Sequence, residues 1–195
     1  MHKPTTQCPS CGQPLGSWTT DKLTGLLNRW GWEDAANRLW AGTHAEQAHL
    51  ALLFVDIDRF RSINNTVGHL AGDAVLRAVA DALRTAADHR DIVVGRYGDH
   101  GGDEFLVLSP GDLDDAMALA REIQRRIAAT AVSATTRARK TTTITDLTVS
   151  IGAAAGRPGH DLTAFSDLLL NADIALHQAK KNGRNQIRLS TPRGL

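Results

Sequence analysis

The sequence predicts an α+β fold whose central elements follow the order βαββαβ, and three patterns in the chain predict it. The segment from Leu50 to Val55 is a nearly continuous apolar run, which is typical of a strand buried on both faces. The segment from His69 to about Ala87 repeats apolar residues at helical spacing, and Gly101-Gly102 separates two strand-like runs as a hairpin turn does. A strand, a helix and a hairpin in this order begin the split βαββαβ unit of ferredoxin-like folds.

The remaining elements complete this unit and extend it at both ends. A first helix is predicted from Trp32 to Trp40, ahead of the strand that ends at Asp56. The later elements are predicted as two hairpin strands (Ile92 to Tyr97 and Glu104 to Leu108), a helix marked by Leu113, Met117, Ala120, Ile123 and Ile127, a strand (Thr148 to Ala153), a helix carrying Phe165 to Ala179 and ending at Gly183, and a terminal strand (Gln186 to Leu189). The prediction is therefore a βαββαβ core with an additional N-terminal helix and a C-terminal helix and strand.

The composition is that of one soluble domain. The chain has 195 residues, 42% of them hydrophobic, and a formal net charge of +1, so it can bury a full core and carries no bulk charge that favours nucleic acid or a membrane surface. No apolar run is long enough to span a bilayer, and the N-terminus lacks the apolar region of a signal peptide, which predicts a cytoplasmic protein without a membrane segment. The predicted organisation is a leader (1–20), one domain (21–190) and a tail (191–195).

The leader contains both cysteines of the chain, Cys8 and Cys11, in the pattern Cys-Pro-Ser-Cys-Gly. This CxxC is half of a zinc knuckle, because a closed structural Zn²⁺ site needs four ligands. The leader is therefore predicted to be either flexible or metal-binding. Four interpretations stay open: a disordered remnant, a redox-sensitive pair, a zinc site completed within the chain by His2 or His44, and a Cys₄ zinc site shared by two chains.

Carboxylates occur at two points that the predicted fold can bring together. Asp103 and Glu104 follow the glycine pair, and Asp56 ends the buried strand. Carboxylates are the hard oxygen ligands that Mg²⁺ prefers while it bridges nucleotide phosphates, although the glycine turn by itself is equally compatible with an ordinary hairpin. Since ligands bind beyond strand ends in open α/β sheets, Asp56 is interpreted as a ligand that converges with the hairpin acids. Asp58 is expected to face away from Asp56 and to act as a helix cap or turn residue, with a direct ligand as the alternative.

Six motifs stand in a fixed order between Asp21 and about Leu189. They are Asp21-Lys22-Leu23-Thr24-Gly25-Leu26-Leu27-Asn28-Arg29, Asp56-Ile57-Asp58-Arg59-Phe60, Asn64 with Gly68-His69 and Gly72-Asp73, Gly101-Gly102-Asp103-Glu104-Phe105, Val149-Ser150-Ile151-Gly152, and Ala172-Asp173 with Ala179-Lys180-Lys181-Asn182-Gly183-Arg184-Asn185. In this order they resemble the GGDEF domain family of diguanylate cyclases, which condense two GTP into cyclic di-GMP and two pyrophosphates on a palm like that of nucleotide polymerases and cyclases. The resemblance implies GTP as substrate and a homodimer, because one domain holds one GTP and each 3′-hydroxyl attacks the partner's α-phosphate.

The resemblance assigns metal-binding and catalytic roles to acids at the two strand ends. Asp56, Glu104 and the backbone carbonyl of Ile57 are the implied ligands of Mg²⁺ or Mn²⁺, since two cations that clamp a triphosphate need acids from both strand ends. Glu104 and Asp103 are both implied to be catalytic, and Asp103 holds the position that helps activate the attacking ribose hydroxyl, as metal ligand or general base. The alternative for these acids is a solvated turn.

The resemblance also implies the residues that bind GTP. Asn64 and Asp73 are implied to read guanine, because an ionised carboxylate accepts from N1–H and N2–H₂ while an Asn amide offers an acceptor and a donor. A capping role for Asp73 at a helix start can hold at the same time. The other implied substrate-binding groups are the turn glycines Gly101 and Gly102, the backbone amides of Phe60 and Arg61, and the side chains of Lys180 and Arg184, for which the alternative is complementation of a helix C-terminus.

The chain departs from the family pattern at the hairpin tip, where Gly98-Asp99-His100 separate Arg96-Tyr97 from Gly101. The family's Arg-aromatic pair directly precedes the two glycines, and the resemblance makes Arg96 the catalytic arginine. Because side chains alternate along a strand, an odd insertion turns Arg96 away from the transferring phosphate unless a bulge or a longer loop absorbs it. This insertion supports an alternative interpretation, a catalytically silent GTP-binding regulatory module.

Smaller departures concern side chains around the motifs. Asn65 stands for the usual Asp, His177 for Tyr, and Arg61 for Lys, which keeps the charge but changes the donor geometry. The family's product-binding Arg-x-x-Asp falls on the segment from Asp88 to Asp91, which lacks its arginine. We therefore expect weak or absent feedback inhibition by cyclic di-GMP.

Overall fold

The centre of the protein is a five-stranded sheet with helices on both faces. A computed structural model describes residues 19–45, 48–88, 91–98, 102–158 and 162–190. In chain order its elements are α1 (Arg29–Ala45), β1 (Leu50–Ile57), α2 (Phe60–Thr66), α3 (His69–Ala87), β2 (Val93–Arg96), β3 (Glu104–Pro110), α4 (Leu113–Ala128), β4 (Val132–Thr135), β5 (Thr141–Ile144), β6 (Val149–Gly156), α5 (Leu162–Lys181) and β7 (Ile187–Leu189).

The strand order β2-β3-β1-β6-β7 places β1 at the middle of the sheet. β1 is antiparallel to both β3 and β6, β2 is antiparallel to β3, and β7 adds to β6 in parallel. The elements β1, α3, β2, β3, α4 and β6 form the βαββαβ unit, with α1 before it and α5 and β7 after it. The predicted fold is therefore confirmed.

Two apolar layers explain why β1 is apolar along its length. One set of alternating β1 residues, which includes Leu53 and Val55, packs under α3 and α4. The other set, which includes Leu52 and Phe54, packs with Trp32 of α1 and with residues of α5. Because both faces are covered, β1 has no polar face, and its first polar side chain appears where the strand ends.

The sequence analysis missed two features of the fold. The short helix α2 lies between β1 and α3, and a separate two-stranded sheet, β4 with β5, lies between α4 and β6. Strands β4 and β5 are four residues each and carry few apolar side chains, so they lack the apolar run that revealed the central strands. Helix boundaries also differ, since α1 begins at Arg29 and ends at Ala45.

Some expectations fall on residues outside the described ranges. Cys8, Cys11 and His2 of the leader are among them, as are Gly101, the tail and the side chain of His44. Within the described ranges, none of the helices combines the length and apolar character that crossing a membrane requires.

Candidate active site

Strands β1 and β3 bring two carboxylates of the predicted site side by side. Asp56 pairs with Glu104 in the antiparallel register, so the two side chains project from one face of the sheet. Asp56 is 7% exposed and Glu104 is half-buried. The backbone N–H of Ile57 donates to the carbonyl of Asp103 at 3.2 Å, which fixes the end of β1 to the residue before β3. The structure therefore brings Asp56, Asp103 and Glu104 together, as the sequence predicted.

Lys180 enters this carboxylate cluster from the last turn of α5. Its Nζ donates to Oδ2 of Asp56 at 2.6 Å, with the two side chains 31% and 10% exposed. Asp173 lies seven residues earlier on α5, on the same side of the helix, and its charge reaches Glu104. Lys180, a predicted phosphate ligand, thus lies beside Asp56 and Glu104, the two predicted metal ligands, at one end of the central strands.

The electrostatics of this region resist ionisation of the carboxyl groups. Burial raises the pKa of Asp56 to about 6, and the charges of Asp103 and Glu104 act in the same direction, against the stabilising contact with Lys180. Burial also raises the pKa of Glu104, where Lys180 opposes the shift and Asp103 and Asp173 reinforce it. A divalent cation would relieve this repulsion, because its charge favours the ionised forms.

The residues present fit Mg²⁺ or Mn²⁺ better than a closed zinc site. Among the described residues, no group of three His, Cys, Asp or Glu side chains is close enough to hold a metal ion. A structural zinc site needs four protein ligands, so nothing in this part of the chain supports one. Mg²⁺ is usually held by one or two carboxylates together with waters and substrate phosphates, which Asp56, Glu104 and the carbonyl of Ile57 can provide with a nucleotide.

Asp58 is buried and accepts hydrogen bonds from residues of two other segments of the site. It is 7% exposed and accepts hydrogen bonds from Thr148 Oγ1 (2.7 Å), Ser150 Oγ (2.6 Å) and the backbone N–H of Asn185 (2.9 Å). The expectation that it faces away from Asp56 was wrong, because it bonds the side chain of Ser150, which pairs with Asp56 and lies on the same face of the sheet. Of its two predicted roles, the helix cap was wrong, since no side chain caps the start of α2, and the turn residue was confirmed, since Asp58 lies in the turn after β1. Asp58 instead joins β1, β6 and the turn after α5.

Asn64 and Asp73, the predicted guanine readers, lie on the neighbouring helices α2 and α3. A Cβ on Gly72 would lie 2.0 Å from Oδ1 of Asn64. The amide of Asn64 therefore packs directly against the backbone of Gly72, the residue before Asp73. The capping interpretation of Asp73 was wrong, because α3 begins at His69 with Gly68 as its N-cap. Asp73 lies in the second turn and is half-buried, and its carboxylate makes no hydrogen bond or ion pair with the described residues.

The predicted phosphate-binding groups fall in two places. The amides of Phe60 and Arg61 are in the first turn of α2, where N–H groups have no acceptor within the helix. Two arginines have a left-handed backbone: Arg184, just after α5 (φ 63°), and Arg59, just before α2 (φ 57°). Both arginines line a cavity of about 420 Å³ whose lining includes Asp58 but neither of the two paired carboxylates of β1 and β3. Lys180, in contrast, lies within the carboxylate cluster.

The strands on either side of the hairpin tip keep a regular pairing. Arg96 pairs with Phe105, and the N–H of Tyr97 donates to the carbonyl of Glu104 at 2.9 Å. A Cβ on Gly98 would lie 2.4 Å from Cα of Gly102, so the two chains approach so closely that neither position tolerates a side chain. The pairing of β2 with β3 is therefore regular as far as Arg96 and Phe105, and the additional residues do not shift it.

Arg96 is bound to the protein on several sides. It is 7% exposed, its Nη1 lies 3.2 Å from both carboxylate oxygens of Asp21, and its Nε donates to the carbonyl of Gly102 at 3.0 Å. Asp21 also accepts from the N–H and Oγ1 of Thr24 at 2.9 and 2.6 Å. Partial burial opposes ionisation of Asp21, but the Thr24 hydrogen bonds and the Arg96 charge hold its pKa below the ordinary value. Arg96 thus ties the glycine turn to the segment before α1.

Asp21 begins the first of the six sequence motifs, but no role was predicted for it. The signal was available, because an acid three residues before a threonine commonly bonds the local backbone in this way. Its contact with Arg96, 75 positions later, had no signal in the sequence.

Comparisons with known proteins identify the family of this chain. The family model described as Diguanylate cyclase, GGDEF domain matches residues 18–186. Diguanylate cyclase DgcM of Escherichia coli (strain K12) is 37% identical over 175 residues, which cover 86% of this chain and 37% of DgcM. Cyclic di-GMP phosphodiesterase PdeR of the same strain is 34% identical over 174 residues, which cover 89% of this chain and 24% of PdeR. The chain therefore spans less than half the length of these relatives.

A solved structure is similar over most of the chain. The coiled coil and GGDEF domain of DgcB from Caulobacter crescentus, in complex with c-di-GMP, is 30% identical and superposes with a TM-score of 0.76, covering 88% of this chain and 85% of that one. Since the family model and this structure both match most of the chain, the protein belongs to the GGDEF domain family of diguanylate cyclases.

Proposed function

We propose that this chain is a metal-dependent diguanylate cyclase, which condenses two GTP into cyclic di-GMP with release of two pyrophosphates. The observation that carries the proposal is the pairing of Asp56 with Glu104 at the ends of β1 and β3, with Lys180 bonded to Asp56. A buried and a half-buried acid beside one cationic side chain suit a triphosphate held through a divalent cation.

The described residues suggest how GTP is oriented. Asn64 and the unpaired carboxylate of Asp73 would accept and donate at the guanine edge, and the first amides of α2 would face phosphate oxygens. Lys180 donates a hydrogen bond to Asp56. When GTP binds, the Nζ of Lys180 would donate to a phosphate oxygen instead. Arg184, which lines the neighbouring cavity together with residues at the start of α2, would also bind the phosphate end.

The reaction would proceed by two attacks, in each of which the ribose 3′-hydroxyl of one guanosine attacks the α-phosphorus of the other, and the following changes occur in each. A new P–O bond forms, the bond to pyrophosphate breaks, and the hydroxyl proton passes to Asp103, the carboxylate next to Glu104. Asp56, Glu104 and the carbonyl of Ile57 would hold Mg²⁺ or Mn²⁺, which would neutralise charge on the phosphates. Because one such site would hold one GTP and the reaction joins two, we propose a homodimer as the active form and the cytoplasm, where GTP is available, as its location.

Arg96 has a different role in this proposal from the one first expected. Its hydrogen bonds to Asp21 and to the carbonyl of Gly102 support a role in positioning the glycine turn. Direct contact with the transferring phosphate would require these bonds to break.

The alternative function is a silent GTP-binding regulatory module, which the bonds of Arg96 to Asp21 and Gly102 favour, since they occupy the predicted catalytic arginine. The experiment is incubation of the purified chain with GTP and Mg²⁺, with assay for cyclic di-GMP and, in parallel, for bound GTP. Product supports the cyclase, and bound GTP without product supports the silent module. Absence of both product and binding would contradict both functions.

A further inference from the structure

We propose that Arg137 positions Asn64 for guanine recognition, although it lies on the β4–β5 hairpin, 73 residues away from Asn64 in the sequence. The inference rests on the proposed role of Asn64 in reading the base. The tip of the hairpin docks on the turn between α2 and α3, and Arg137 makes the contacts.

The hairpin is anchored well enough to hold such a contact in place. Val132 and Ala134 of β4 are buried, as is Leu147 after β5. At the tip, the N–H of Thr136 donates to the carbonyl of Lys140 at 2.8 Å, and the N–H of Arg139 donates back to Thr136 at 2.9 Å. Arg137 is therefore presented from a closed turn whose base is fixed in the core.

Arg137 contacts three residues of the α2–α3 connection. Its backbone N–H donates to the carbonyl of Val67 at 3.2 Å, and its Nη2 donates to the carbonyl of Asn64 at 3.3 Å. A Cβ on Gly68 would lie 3.0 Å from Cγ of Arg137, so this glycine leaves the space in which the arginine stem lies. The carbonyl of Asn64 belongs to the last turn of α2, where carbonyls receive no hydrogen bond from an N–H of the same helix.

This support matters because α2 is short. A helix of seven residues has little stability of its own, so the position of its last turn depends on tertiary contacts. Arg137 bonds the backbone carbonyl of Asn64, and the missing side chain of Gly72 leaves the space that its amide occupies. Asp73 lies inside the 19-residue α3 and does not depend on Arg137. Loss of Arg137 should therefore disturb one of the two base-reading residues and leave the other in place.

The test is equilibrium binding of GTP and ATP analogues in which a methylene group replaces the oxygen between the α and β phosphates, so that no pyrophosphate can leave. In Arg137→Ala we expect the guanine analogue to bind about 3- to 10-fold more weakly, the effect of one lost hydrogen bond, with little change for the adenine analogue. The matched control is Lys140→Ala, which removes one exposed positive charge from the same tip, where the lysine side chain makes no hydrogen bond with the described residues. It should bind both analogues as the wild type does.

A double-mutant cycle shows whether the effect passes through Asn64. In an Asn64→Ala background, Arg137→Ala should cause no further loss of guanine preference. An equal loss for both analogues would identify a general charge effect and overturn the inference, and so would unchanged binding by Arg137→Ala when the wild type binds the guanine analogue. A wild type that binds neither analogue would contradict the proposed function itself. If Arg137→Ala unfolds, Arg137→Lys, which keeps the charge but not the guanidinium geometry, should show the same selective loss, and wild-type guanine preference there would count against the proposal.

Discussion

Replacement of Gly72 by alanine separates the stability of α3 from the binding of guanine. The new Cβ would lie 2.0 Å from Oδ1 and 2.9 Å from Cγ of Asn64, and 3.2 Å from Cζ of Phe60. The nearest atoms belong to the end of a flexible side chain, so the Asn64 amide has to turn away while the backbone of α3 stays. Alanine in a helix interior is about 0.5–1 kcal/mol more favourable than glycine. We therefore expect Gly72→Ala to fold at least as stably as the wild type.

The same substitution should weaken binding of GTP. Displacement of the Asn64 amide removes one hydrogen bond to the base, whose net contribution is about 0.5–1.5 kcal/mol, or about 3- to 10-fold in affinity. Urea unfolding and titration with GTP and ATP give the two quantities. Gly42→Ala is the control, because Gly42 lies in α1 with no atom within 4 Å of its Cβ position, so it should gain stability without loss of binding. A destabilised Gly72→Ala, or a folded one with unchanged preference for GTP, would refute the reasoning.

Four further predictions concern the carboxylates. Glu104→Gln should abolish formation of cyclic di-GMP while the protein stays folded, because the amide keeps the volume but removes an anion that Mg²⁺ needs; turnover at the wild-type rate would show that Glu104 is not a ligand. Asp73→Ala should weaken GTP binding and reduce the preference for GTP over ATP, which competition titration measures, and an unchanged ratio would count against its role. Without metal and nucleotide, the raised pKa of Asp56 means that the folded protein keeps a proton that the unfolded chain has lost, so its contribution to the free energy of unfolding should fall by up to about 3 kcal/mol as pH rises from about 4 to about 6. The difference between wild type and Asp56→Asn in urea unfolding isolates this contribution, and a difference independent of pH would exclude it. Cyclic di-GMP should inhibit weakly or not at all through the segment that ends at Asp91, and tight product binding in calorimetry that Asp91→Ala abolishes would contradict this.

The parts of the fold that follow from local pattern could be predicted from the sequence. β1 is apolar on both faces because helices cover both, and this is visible as a run without alternation. The helix from His69 to Ala87 has the bounds that its apolar spacing predicts. The β4–β5 hairpin has short, polar, partly exposed strands, so its existence depends on the core that surrounds it and leaves little local signal.

The site could be predicted as a set of residues but not as a network of contacts. Asp56 and Glu104 were expected to converge because both end strands, and the register places them opposite each other. The bonds of Asp58 to Ser150 and Asn185 join positions 92 and 127 residues apart, and no spacing in the sequence encodes them. The same holds for Arg137, whose contact with Asn64 depends on where the hairpin docks.

The two halves of the site are supported in different ways, and this should govern how each responds to change. The carboxylates end central strands that are buried on both faces, so their positions are set by the same packing that sets the stability of the domain. Asn64 is placed by a seven-residue helix, one glycine and one arginine from an outlying hairpin. Substitutions at Gly72 or Arg137 can therefore alter the recognition of guanine without reaching the core, whereas the position of the metal-binding acids should change only when the central sheet itself is disturbed.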